Sequence, residues 1–351
     1  MSEHQPDSAA KAISFLMFGI VAGVGLDLLG KWLLADYSLP QFILLRSLFG
    51  GAILFALVGR FGGIKALATQ RLGWHLLRSL LATGAMFGFF YGISQIPLVD
   101  ALTIGFTAPL MATALSVPLL GERVGWRRWA AVVVGFIGVV IVLRPGAGLV
   151  SFAALAVIAA AFFYACLAIT ARHLTNTENT FALSMYVLIG PLIISGFMTP
   201  ARWIPPEPGE WILFAAAGLF SALGWLGIVG AYRRAAPAVL APFEYTALIW
   251  GGLAGYLIWD EVPDGPVLLG GMIIVVSGLF VVYRELGRSR AMTRYLRVLT
   301  GSASEGAAAE RVEGEIESVG AASAATTQRI AAEATPTNEL TSSLPPSEPP
   351  S

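Results

Sequence analysis

The chain has 351 residues, of which 56% are hydrophobic and only 13% charged, and its mean hydropathy of +0.73 excludes an ordinary soluble globular domain. Its 22 basic residues balance its 22 acidic ones, so net charge gives no reason to expect a nucleic-acid partner. The single Cys166 excludes an internal disulfide, and three histidines without ligand spacing give no metal site, so no cofactor is expected.

Residues 1–11 are polar and lead into an apolar run too long for a signal-peptide core and without a small-x-small cleavage pattern, so this run reads as a retained first helix. A membrane crossing needs about 20 apolar residues. Ten such segments are predicted, at 12–34, 39–58, 74–95, 97–120, 128–143, 149–171, 180–199, 210–232, 236–258 and 265–284. Between them lie breakers: Pro40, Pro97, the pair Pro145 and Gly146, the proline-rich 205–209 run, Pro237, and Pro263 to Gly265. Beyond the last helix, Arg288, Arg290, Arg294 and Arg297 alternate with Met292, Tyr295, Leu296 and Leu299. This is either stop-transfer charge or a short helix on the anionic leaflet. Residues 301–351 carry too few large apolar side chains to offset the entropy of ordering and read as a disordered tail.

Two parts of the apolar region match at an offset of 140: Gly84 with Gly224, Pro97 with Pro237, Val99 with Val239, Ala101 with Ala241, Gly138 with Gly278, Val142 with Val282 and Arg144 with Arg284. Glu122 and Glu261 are one residue out of step. The expected division is a cytoplasmic N-terminus (1–11), two five-helix repeats (12–145 and 146–285), and a cytoplasmic basic segment with tail (286–351). Five crossings are an odd number, so the second repeat enters the membrane inverted. The expected fold is therefore an all-α membrane protein with a 5+5 inverted-topology repeat, an architecture recurrent in secondary transporters. Counting Lys and Arg outside the helices up to residue 297 gives 15 on the N-terminal side and two, Arg144 and Arg202, on the other. The positive-inside rule then makes both termini cytoplasmic in a multi-pass protein of the inner (plasma) membrane.

A charge at the centre of a spanning helix costs roughly 2.5–3.5 kcal/mol on insertion scales and needs a partner or a wet cavity. Six fall in the predicted spans: Asp27, Lys31, Arg46, Arg78, Asp100 and Glu244. Asp27 and Lys31 share a helix face, which suits either a structural ion pair or a substrate-facing role. Near the inner surface, Arg78 reads as snorkelling, and Asp100 as solvated at the outer one. Glu244 falls near the midplane, and Pro242 just before it removes a backbone donor and frees carbonyls beside the carboxylate. Such a site suits a cationic or zwitterionic substrate, or a proton. Candidate cavity aromatics are Phe87, Phe90, Tyr91, Phe163, Tyr164, Trp225, Tyr245 and Trp250. The candidate substrate or proton-coupling set is Glu244, Asp27, Lys31, Arg46, Tyr91, Tyr164, Trp225 and Tyr245, with no catalytic or metal residues. Trp74, Trp126, Trp129, Trp203 and Trp211 read as interfacial anchors. Gly84, Gly88 and Gly92, Gly19 and Gly23, and Gly251 and Gly255 form small-residue stripes for close helix packing.

The repeat, Arg46, Pro109 followed by Gly121, Glu122 and Arg123, the Gly-rich fifth helix closing on Leu143, Arg144 and Pro145, and the second copy's Pro237 to Ala241, Glu244 and Glu261 together resemble the EamA-like branch of the drug/metabolite transporter superfamily. Two departures are Asp260 in place of a glycine before Glu261, and a proline before Glu244 where the family has one after it. The run from Ala241 to Thr246 is similar to members assigned to uptake of metabolites such as S-adenosylmethionine or riboflavin. The resemblance implies a ten-helix fold and a secondary active transporter of a small metabolite or drug-like molecule. It would work by alternating access and be driven by protons or by the substrate gradient. The partners expected are that substrate, protons and the lipid bilayer, with the protein a monomer or homodimer. No Gly-x4-Gly-Lys loop provides for a primary pump. The alternative is a membrane-embedded transferase at the inner face, where His75 and His173 fall; solvated loop histidines are the simpler account of both.

Overall fold

Short turn sequences between long apolar runs leave each run no way to satisfy its backbone in lipid except as a helix. The computed structural model describes residues 6–284 apart from 62, 123, 145–150, 175–177, 179 and 236. In chain order the helices are α1 (Pro6–Leu33), α2 (Leu39–Ala56), α3 (Leu72–Gln95), α4 (Leu98–Gly105), α5 (Ala108–Leu120), α6 (Trp126–Leu143), α7 (Phe152–Leu174), α8 (Thr180–Val187), α9 (Ile189–Met198), α10 (Trp211–Tyr232), α11 (Pro237–Glu244), α12 (Thr246–Trp259) and α13 (Gly265–Arg284). Among the described residues there are no strands, and nine segments are long and apolar enough to cross a membrane. The other predicted crossing, 236–258, is α11 followed by α12, each too short to cross alone. All these helices belong to one compact unit, Met1–Leu286. The predicted basic segment from 286 onward and the tail lie outside the described residues.

Three of the predicted spans are interrupted, between α4 and α5, α8 and α9, and α11 and α12. Two of the interruptions have the same construction. Thr107 Oγ1 donates to the carbonyl of Ile104 at 2.7 Å, and Thr246 Oγ1 to that of Phe243 at 2.6 Å, each hydroxyl competing with the helix for a carbonyl. Pro109 follows the first break and Pro242 precedes the second, each removing a backbone donor.

The two copies also end these spans alike. Gly121 (φ 67°) and Asp260 (φ 53°) both adopt the left-handed conformation. The next amides, of Glu122 and Glu261, reach back to Ser116 and Gly255 at 3.3 and 3.2 Å, the Schellman arrangement. Aspartate is among the few side chains that enter this region readily, which accounts for Asp260 where the first copy has glycine. The one-residue slip arises before the breaks, since Ala101 matches Ala241 at an offset of 140 and Thr107 matches Thr246 at 139.

The most extensive helix contacts follow the exchange of the two copies. The helix pair α1 and α10 is packed along its length, as is the pair α3 and α7, and swapping copies turns one pair into the other. The pair α2 with α9 maps onto itself, and the contact of α4 with α12 joins the two broken spans that correspond to each other. The glycine stripes make these approaches: a Cβ on Gly88 would lie 2.6 Å from the carbonyl oxygen of Ala156, and one on Gly19 3.0 Å from that of Gly224. Likewise Gly138 faces Gly270 across α6 and α13, 2.8 Å from added Cβ to carbonyl. With lipid as apolar as leucine, such close backbone contact is what holds helices together.

Candidate functional site

A cavity of about 250 Å³ lies among α2, α3, α7, α8 and α10. Its polar lining is Arg46 and Ser47 from α2, Arg78 from α3, Ser184 from α8, and Ser221 and Trp225 from α10. The lining runs from the middle toward the end of α2 and of α10, through the first two thirds of α3 and along late α7, so the cavity extends from mid-membrane toward the side predicted to face inward.

Arg46 is only 4% exposed. Its guanidinium reaches the thioether of Met86 at 3.7 Å and lies 5.3 Å from the centre of the Phe90 ring, while its Nε has no partner. Asp27, one helix away, is within electrostatic range of Arg46 but, among the described residues, forms no ion pair with it. Arg78 departs from the snorkelling expectation. It is 6% exposed and turned inward, donating through Nη1 to the Leu167 carbonyl at 2.9 Å and to Thr170 Oγ1 at 3.2 Å. Trp225 donates its indole N–H to Ser184 at 2.7 Å.

On the opposite, predicted outer face, contacts between the copies close the structure. Lys31 pairs with Glu261, not with Asp27, and also donates to the Ile96 carbonyl at 3.0 Å. The second oxygen of Glu261 accepts the Leu98 amide at the start of α4 at 2.9 Å, and Lys31 lies 5.3 Å from the Trp259 ring centre. Arg144 pairs with Asp264, which also accepts the Val267 amide at 3.2 Å and so caps α13. The Arg144 hydrogen bond, with help from that of Val267, holds the Asp264 carboxyl below its usual range. Tyr37 donates to Glu210, and burial together with that bond pushes the phenol up. Gln41, fully buried, clamps the Ile204 backbone through both amide atoms at 2.6 and 2.9 Å. Asp100 lies within electrostatic range of Lys31, Arg144, Glu261 and Asp264.

Glu244 stands apart from the arginine cavity. Eight residues into its span, it accepts a hydrogen bond from Tyr232 at the end of α10 and is electrostatically coupled to Tyr164 and Tyr245. Tyr245 stacks on Phe106 at 4.9 Å. Of the other aromatics, Tyr91 meets Phe152 edge to face with centroids 5.7 Å apart, and Phe163 packs against Gly84. The structure thus divides the candidate residues into an arginine cavity with Asp27 behind it, an acid–tyrosine group, and a cross-copy closure. Tyr91 belongs to none of them.

His75 is a correction to the expectation of a solvated loop residue. It is 1% exposed, 3.3 Å from Glu178 and 4.4 Å from the Tyr186 ring. The side chain of His173 lies outside the described residues. Arg78 has a sequence signal that position along the helix hides: Ser79 and Thr83 adjoin it, giving one part of an apolar helix a polar character.

Breaks in unwound spans, a polar cavity between two copies of one unit, and a closed opposite face define a helical membrane transport protein, not an enzyme. The model of the EamA-like transporter family matches residues 10–144 and again 151–284, and the chain belongs to that family. It is 34% identical to a riboflavin transporter of Vibrio cholerae over 231 residues, 64% of this chain and 76% of that protein. An S-adenosylmethionine uptake transporter of Rickettsia conorii is 29% identical, covering 80% of this chain and 95% of its own. A pseudopaline exporter of Pseudomonas aeruginosa is 27% identical over 69% of this chain and 86% of its own. A solved crystal structure with 20% identity and a TM-score of 0.52 covers 75% of this chain and 96% of that one, and has the same fold.

Proposed function

We propose that this protein is a secondary active transporter that moves a small metabolite or drug-like molecule across the inner membrane by alternating access between inverted repeats, 12–145 and 146–285. Both termini would be cytoplasmic. The observation that carries the reading is the pairing of a polar cavity that extends from mid-membrane toward one side with cross-copy closure of the other side, as expected of a protein resting with one face shut. Glu244, held by Tyr232 within the membrane, is the candidate for proton coupling, an intramembrane acid being functional by default. The relatives' riboflavin, S-adenosylmethionine and pseudopaline make a polar organic metabolite the natural first panel. Accumulation of a labelled panel in proteoliposomes, with and without a pH gradient, tests the reading: uptake above protein-free vesicles supports it. Release of a covalently modified product instead of accumulation would favour the transferase alternative.

A further inference from the structure

We infer that the arginine cavity binds the anionic head, carboxylate or phosphate, of a small organic substrate; this rests on the transport reading of the same cavity. Arg46 is the main observation. A guanidinium offers five N–H donors and no acceptor, yet this one, 96% removed from solvent, meets among the described residues only a thioether and a ring face, with Nε unpartnered. Ser47 beside it is 1% exposed and its hydroxyl also lacks a partner. Across the cavity Arg78 is tethered by Leu167 and Thr170 but keeps its Nε unpartnered. Among the described residues none that lines the cavity is acidic. Two buried cations and a hydroxyl face one space with no oxyanion in it, and a planar guanidinium matches carboxylate and phosphate geometry in a two-pronged way that ammonium cannot.

Asp27 sets the resting balance. It acts on Arg46 from outside ion-pair distance, so it offsets charge without occupying the hydrogen-bonding fork. A substrate anion therefore competes with Asp27 for the field of Arg46. The remaining lining, Leu54, Leu167, Leu183 and the face of Trp225, suits a compact apolar body, and the cavity volume restricts that body to a small molecule.

The test uses three probes of one shape and three charges: phenylacetate, 2-phenylethanol and phenethylamine. Binding to the purified full-length protein in detergent is read by equilibrium dialysis, with phenyl phosphate as a second anion. Phenylacetate should bind at least about tenfold more tightly than the other two, the scale of a charged hydrogen bond. Arg46→Gln should abolish that preference, Arg46→Lys should retain part of it, and Asp27→Asn should strengthen anion binding. Thermal melts identify any variant that fails to fold, in which case Arg78→Gln and Asp27→Asn decide. Equal or tighter binding of phenethylamine overturns the inference. So does exclusion of phenylacetate by added phosphatidylglycerol, which would assign the anion site to lipid. Ser221→Trp, which fills the cavity, separates the two levels. If it blocks proteoliposome uptake while the probes show no anion preference, only the anion inference falls; if uptake is untouched, the cavity reading falls with it.

Discussion

The contact between Lys31 and Glu261 is the sharpest point at which to perturb this architecture, because one carboxylate joins three segments: the end of α1, the start of α4 and the turn before α13. Glu261→Gln keeps the shape and an acceptor for the Leu98 amide but leaves the Lys31 ammonium without its counter-charge. Breaking a fully buried pair costs about 3–5 kcal/mol, and with side chains 12% and 16% exposed the lower end, about 3 kcal/mol, applies. If that contact exists only while the outer face is closed, the equilibrium between closed and open shifts by about a hundredfold. Lys31→Met alone leaves the carboxylate with its amide donor and costs less, and the double variant, lacking both charges, should be no worse than Glu261→Gln. Two measurements check this: a double-mutant cycle from reversible unfolding in detergent, and labelling of a cysteine introduced at Leu34, with Cys166 replaced, by an impermeant maleimide from the outer side. The cycle should give a coupling of at least about 1.5 kcal/mol and the Glu261 variant a faster labelling rate. Additivity within about 0.5 kcal/mol, or an unchanged rate, refutes the argument that this pair holds the face shut.

Three further outcomes are expected. Gly88→Val should destabilise by about 1–3 kcal/mol through overpacking against Ala156 and Ala160, whereas Gly23→Ala, with nothing within 4 Å of the added methyl, should be neutral or stabilising by up to about 1 kcal/mol in thermal melts. Glu244→Gln should abolish transport or its pH dependence in proteoliposomes, and Tyr232→Phe should weaken either less; transport by Glu244→Gln that matches the wild type at every pH would remove Glu244 from the mechanism. The Asp264 carboxyl is held below its unfolded value of 3.8, so its contribution is complete above that value and is lost as pH falls through the lower folded one. The stability gap between wild type and Asp264→Asn should therefore be flat from about pH 5 to 7 and shrink below about pH 4; a gap that widens in acid contradicts this.

The helices were readable because lipid imposes a length on every apolar run and because prolines and glycines punctuate the gaps; the ends of α3, α6 and α10 fall within two residues of expectation. The copy relation was readable from glycines and prolines whose backbone roles recur, as Gly121 and Asp260 demonstrate. Partners were not readable. Lys31 lies 230 residues from Glu261, and the sequence offered Asp27, four residues away on the same face, as a local partner. Depth along a helix likewise placed Arg78 near the surface but carried no information on which way its side chain turns, which neighbouring α7 decides by presenting a carbonyl and a hydroxyl. Glu244 was readable as an isolated acid, while Tyr232, twelve residues earlier across a turn, was not.

The two ion pairs at the predicted outer face divide their charges by copy. In these pairs the bases, Lys31 and Arg144, come from the first copy and the acids, Glu261 and Asp264, from the second. A structure built from two equal units has by default two equivalent faces, so any difference in their closure must come from side chains that the copies do not share. At the repeat offset, Arg144 corresponds to Arg284 but Asp264 to Val124, so the acid of this pair is not repeated at the corresponding position. The frame is therefore close to symmetric in its largest helix contacts, while this ion pair is not repeated at the corresponding positions. Under the proposed alternating access, a frame made this way has two states of unequal energy before any substrate binds, and a ligand shifts them only by binding one state more tightly than the other. Among the described residues, Arg46 and Arg78 with Asp27 nearby, and Glu244 with Tyr232, are places within the membrane where such differential binding would have charge to act on.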